Sequence, residues 1–148
     1  MTRGYNDHEI GRILELALAR KCVRHVEVHT ITYTGQSGRD FPRSGRISMV
    51  EVLDRVAETT GGLLRRDDWV PSPAAHPLCY QIAYLLLDPE GGAPVPFTRF
   101  LPKETIVDAL ADRLYLEPTR QLEQALLAAI DRLWTDEPPD HERMLRIL

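Results

Sequence analysis

The sequence predicts an α/β fold, and three observations predict it. An amphipathic helical stripe runs directly into a β-branched segment, a second and strongly capped helical stripe follows a long loop, and two apolar runs split by a turn signal precede two more helical stripes. At 148 residues the chain has the length of one domain, enough to bury about 70% of its unfolded surface.

In "YNDHEIGRILELALARKC" the spacing predicts a helix over residues 6–20. Asn6 is the expected cap, Glu9 completes a capping box, and Ile10, Ile13, Leu14, Ala17 and Leu18 repeat at i, i+3, i+4, i+7, i+8. "VRHVEVHTITYTG", rich in β-branched residues and ending in glycine, predicts a strand. "GQSGRDFPRSGR" has no hydrophobic period and predicts a long loop. In "ISMVEVLDRVAETTGG", Ser48 and Glu51 form a capping box and Ile47 and Val52 a hydrophobic staple. Its core stripe is Met49, Val52, Leu53 and Val56, and Gly61 and Gly62 supply the stop.

After a proline-rich stretch, "CYQIAYLLL" and "VPFTRFL" flank "DPEGGAP" and predict a β-hairpin. Pro102 and Glu104 open a helix through "PKETIVDALADRLYL" with Ile106, Leu110 and Leu114 on one stripe. "TRQLEQALLAAIDRLW" repeats the pattern with Leu122, Leu126, Ala129, Ile130 and Leu133. The tail "DHERMLRIL" starts a last helix capped by Asp140 and stops on Leu148. Few strands are available to this pattern, so the expectation is of a part of something larger, or of a chain that associates.

The net charge is −4, and 16 of the 18 basic residues are arginines spread among 22 acids. Nucleic-acid binding draws on clustered cations, so this balance argues against it. The apolar runs fall short of the roughly 20 residues a membrane helix needs. The first residues lack the layout of a signal peptide. A cytoplasmic location is expected, with Cys22 and Cys79 as reduced thiols.

Three groups of residues could carry chemistry. His25, Glu27 and His29 alternate onto one face of the predicted strand, where they could hold a metal or relay protons, or else line a hydrated edge. Gly35, Gly38 and Gly45 stand among Arg39, Arg43 and Arg46 at the C-terminal end of that strand, which suits a carboxylate or phosphate but equally a flexible connector. His76 and Cys79 lie three apart in "PSPAAHPLCY". A structural zinc or iron-sulfur site needs about four such ligands. With Cys22 the one further cysteine, the alternative is a buried structural cysteine.

The run from "GYNDHEIGRILELA" through "VRHVEVHTITYTG" and "ISMVEVLDRVAETTGGLLRRDDWVPSPAAHPLCYQIAYLLLD" to "PVPFTRFL" resembles the C-terminal half of radical S-adenosylmethionine enzymes. It is most similar to the branch that includes the archaeal tetraether lipid synthases. The most specific part is "DDWVPSPAAHPLCY" with "PVPFTRF": an acidic-aromatic-Pro lead, a His-Pro-x-Cys core and a Pro-x-x-Arg strand.

The resemblance implies an α/β chain forming a partial (half) β/α barrel, followed by a β-hairpin and C-terminal helices. It divides the chain into βα units at 1–70, a His/Cys loop and hairpin at 71–101, and a helical tail at 102–148. In the intact family a CxxxCxxC loop holds a four-iron cluster, which cleaves S-adenosylmethionine to a radical that abstracts hydrogen from an unactivated carbon, in this branch on lipid tails. Cys79 then corresponds to an auxiliary-site metal ligand. The chain contains no CxxxCxxC, and Ala74 stands where the pattern carries a second loop cysteine. The expectation is therefore the C-terminal portion of a radical S-adenosylmethionine enzyme that is inactive alone, binds neither cofactor by itself, and needs a complementary N-terminal half or self-association. A stand-alone, non-catalytic α/β interaction module is the alternative.

Overall fold

The chain divides into two units, Met1–Arg66 and Asp67–Leu148, in a computed structural model that describes residues 1–33, 39, 40, 42–76, 79–111, 113–135 and 141–147. Side chains cap the second helix of the first unit and the second helix of the second unit, while the leading helix of each starts without a side-chain cap bond.

In the first unit the leading stripe folds as α1 (Ile10–Leu18), shorter than predicted. Asn6 does not cap it. The Asn6 side chain accepts a hydrogen bond from the Thr2 amide at 2.9 Å, and Asp7 accepts one from Gly4 at 2.7 Å, so both are spent on the preceding turn. Glu9 takes the cap position without a side-chain bond.

The second helix, α2 (Met49–Thr59), starts as the sequence requires. Ser48 accepts from the Glu51 amide, and Glu51 accepts from the Ser48 amide at 2.8 Å. It stops on Gly61 and Gly62, at φ of 61° and 79°. The Gly62 amide reaches the Ala57 carbonyl and the Gly61 amide the Glu58 carbonyl, a Schellman arrangement that a side chain at Gly62 would strain. Ile10, Ile47, Val52, Leu53, Val56 and Leu64 are buried in this unit. α1 packs on α2 at Gly11, where a Cβ would stand 2.8 Å from the Thr59 side chain.

The predicted strand over residues 23–33 does not form. A strand exists only through partners, and among the described residues no ladder is assigned to this segment. The Met1 amine donates to the His29 carbonyl and the Ile31 amide donates to the Met1 carbonyl. That pattern sets Met1 beside Thr30 with the two segments running parallel.

In the second unit, β1 (Val70–Pro71) pairs antiparallel with β2 (Gln81–Ile82), and β3 (Leu85–Leu86) pairs antiparallel with β4 (Val95–Pro96). The single apolar run predicted before the turn is thus two strands, broken at Ala83–Tyr84 and serving different partners. Pro71 and Pro96 lack an amide to extend either ladder. The predicted hairpin is the β3–β4 pair, its turn held by Asp88, which accepts from the Glu90 amide at 2.8 Å.

α3 (Lys103–Ala109) also stops early. Leu110 is fully buried at its end, whereas Leu114 is 64% exposed, so continuing the stripe would have had nothing to pack on. α4 (Arg120–Thr135) is capped by Thr119, whose hydroxyl accepts from the Leu122 amide at 3.1 Å. α5 (His141–Ile147) closes the chain; its expected cap, Asp140, lies outside the described residues, as do Leu148 and the Leu133 side chain. Val70, Val95, Phe100, Ile106, Leu110 and Met144 lie at the centre of the core. Tyr84, Phe97 and Phe100 stack in a tilted row beside it, with ring centroids 5.9 and 5.2 Å apart.

The chain is therefore mixed α/β, with two small antiparallel sheets and no barrel among the described residues.

Candidate functional site

The proline-rich stretch is a closed loop whose ends are tied by β1 and β2. Val70 faces Ile82 and Pro71 faces Gln81. Beyond them the Ser72 amide donates to the Tyr80 carbonyl at 3.1 Å, and within the loop the Ala75 amide reaches the Ser72 carbonyl. The Cys79 amide donates to the His76 carbonyl at 2.8 Å, a turn that brings these two residues together at the surface. Both side chains are exposed, which corrects the expectation of a buried structural cysteine.

At the foot of the loop lies a polar contact that the sequence did not single out as a site. Asp68, in a short 3-10 turn at Arg66–Asp68, is only 4% exposed. It accepts a hydrogen bond from the Thr98 hydroxyl at 2.6 Å and pairs with the Arg99 guanidinium at 2.7 Å. A buried carboxylate is costly unless charge and hydrogen bonds compensate it, and here two donors do so. The signal lay in the sequence as opposite charges in "DDWVP" and "PFTRF", two otherwise apolar segments. Next to it in sequence, the Trp69 indole nitrogen and, a little further on, the Ser72 hydroxyl are buried with no hydrogen-bond partner among the described residues.

The metal-ligand expectations fare differently. Among the described residues no group of three or more His, Cys, Asp or Glu side chains is placed to hold a metal ion. His76 and Cys79 share one turn, and among the described residues no third His, Cys, Asp or Glu is grouped with them; the chain has no CxxxCxxC for a four-iron cluster. In the first unit His29 and Glu27 meet at 3.3 Å, both solvent-accessible, but His25 does not complete a trio with them. Gly35 and Gly38 lie outside the described residues. Gly45 is buried in a 3-10 turn at Arg43–Gly45, while Arg39, Arg43 and Arg46 are exposed.

Three carboxylates in the first unit are held below their usual range: Glu51, Asp7 and Asp54, the last by its hydrogen bond from the Arg66 guanidinium. The Ser48 amide, the Arg3 guanidinium and the Ser48 hydroxyl bring Glu51 down to about 2. Burial acts to raise Asp7, but the Gly4 amide and the Arg55 guanidinium at 2.6 Å outweigh it and leave it lowered. Glu51 and Asp7 belong to a cap and a turn and Asp54 to an exposed pair with Arg66, so their perturbation is structural.

No protein-family model matches the chain. It is 24% identical to the 7,8-dihydro-6-hydroxymethylpterin dimethyltransferase of Methanocaldococcus jannaschii, in an alignment of 135 positions that covers 77% of this chain. The chain spans 26% of the length of that relative. Among the described residues no helix is long and apolar enough to cross a membrane.

Proposed function

We propose that this chain is the C-terminal portion of a radical S-adenosylmethionine enzyme that acts on an unactivated carbon, with residues 1–70 as βα units of a partial barrel, 71–101 as a proline-rich loop and hairpin, and 102–148 as a helical tail. The observation that carries the reading is the contact of Asp68 with Thr98 and Arg99. It joins the acidic-aromatic-Pro lead to the Pro-x-x-Arg strand, the two most specific pieces of the resemblance, which lie about 30 residues apart in sequence. Similarity to an archaeal dimethyltransferase supports the reading at the level of the radical S-adenosylmethionine family. Assignment to the tetraether branch, and a lipid-related substrate, rest on the residue pattern alone.

In the intact family an iron-sulfur cluster and S-adenosylmethionine supply the radical. This chain has no cluster loop, and its part is to complete a fold around a site held elsewhere. The parallel alignment of Met1 with Thr30 across α1 supports a βα-unit origin for the first unit. Ile13, Leu16, Val26 and Val50 are exposed there, as expected of surfaces that a complementary N-terminal half covers. A cytoplasmic location accords with this chemistry.

The test is co-expression with a chain carrying CxxxCxxC from the same branch. Co-purification, with deoxyadenosine formed by the pair and not by either chain alone, supports the proposal. A monomer that ignores every such partner in light scattering sinks it and leaves the stand-alone interaction module.

A further inference from the structure

The stretch 39–46 holds three arginines and one acid, Asp40, in a chain whose net charge is −4. Arg39, Arg43 and Arg46 are exposed, and none forms an ion pair among the described residues. The nearby Glu51 is already taken by Arg3 and Ser48.

The backbone that carries Arg43 and Arg46 is pinned at two points. The Tyr33 hydroxyl donates to the Pro42 carbonyl at 2.6 Å, and the Arg3 amide donates to the Gly45 carbonyl at 2.9 Å. A third bond, from the Gly45 amide to the Pro42 carbonyl at 2.8 Å, closes the turn between them. Arg3 and Tyr33 stand just past the point where Met1 and Thr30 run parallel. Arg43 and Arg46 thus flank a turn anchored beyond the C-terminal ends of two parallel segments, the end at which parallel α/β arrangements take their ligands, and Arg39 lies four positions before Arg43 in sequence.

We propose that Arg39, Arg43 and Arg46 bind the phosphate group of an anionic ligand. Guanidinium donors match phosphate oxygens in pairs, and arginine holds its charge at every relevant pH. The inference does not depend on the radical S-adenosylmethionine reading, because it uses only the local charges and anchors.

The experiment is an amide NMR titration of the whole chain with inorganic pyrophosphate at low salt. Shifts centred on residues 39–46, Arg3 and Tyr33 are expected, with half-saturation below about 1 mM and weakening as salt is raised through about 0.5 M. The exposed side chains let the Arg39→Gln, Arg43→Gln, Arg46→Gln triple variant keep its unfolding midpoint while losing affinity roughly tenfold or more. Co-sedimentation with phosphatidylglycerol vesicles, against phosphatidylcholine, assigns the source: vesicle binding lost in the triple variant points to a lipid headgroup, and pyrophosphate binding alone to a soluble phosphate. Absent shifts with no vesicle binding, affinity unchanged in the triple variant, or single-stranded RNA preferred over both, would each overturn the proposal.

Discussion

Replacing Asp68 by alanine should destabilise the second unit more than any single surface change. The substitution leaves the Arg99 charge and the Thr98 hydroxyl without their acceptor in a place where the carboxylate side chain is 3% exposed. Losing one partner of a fully buried pair costs about 3–5 kcal/mol. Arg99 retains 30% exposure and can recover part of its hydration, so roughly 2–3 kcal/mol is the expected loss. In a unit of about 80 residues that corresponds to a fall in Tm on the order of 10 °C or more. Urea unfolding followed by Trp69 and Trp134 fluorescence measures it. Arg99→Met in the Asp68→Ala background should recover part of the loss, because the stranded charge is then gone. An Asp68→Ala midpoint that stays within about 0.5 kcal/mol of the parent would refute the reasoning, since the pair would then contribute no more than a surface ion pair.

Four further outcomes follow from particular residues. The Glu51 carboxyl titrates near 2 in the folded chain against an ordinary 4.5, so its contribution to stability is fully present above about 4.5 and is lost as pH falls toward 2. Glu51→Gln should flatten that acid limb in pH-dependent thermal melts, and an unchanged limb would contradict it. Gly62→Ala should cost about 1 kcal/mol, read by circular dichroism melts, because φ of 79° strains any Cβ; a stabilised variant would show that the helix end can relax. Cys79 should react with a maleimide at a rate close to that of a free thiol in the native chain. Anaerobic reconstitution with iron and sulfide should give no stoichiometric four-iron cluster, since the chain offers only two cysteines; a stable cluster absorbance would reverse that assignment.

By itself the sequence determined those features whose energetics are local. The Ser48–Glu51 box, the Gly61–Gly62 stop, the Asp88 turn and the 3.6-residue stripe of α4 formed where predicted, because each satisfies its backbone groups within a few residues. The pairing of "VRHVEVHTITY" was not legible in the same way. A β-branched pattern favours an extended chain, but a strand needs a ladder of partners, and among the described residues none is assigned to it. The two helices that stop early, α1 and α3, were over-extended for a related reason: periodicity continues through Leu114, while burial ends at Leu110. Tertiary structure alone exposed Cys79 and set Asp68 against Arg99 from 31 positions away. Sequence encodes which residues can cap, turn or stack, but which distant charge compensates a buried carboxylate depends on how the core closes around it.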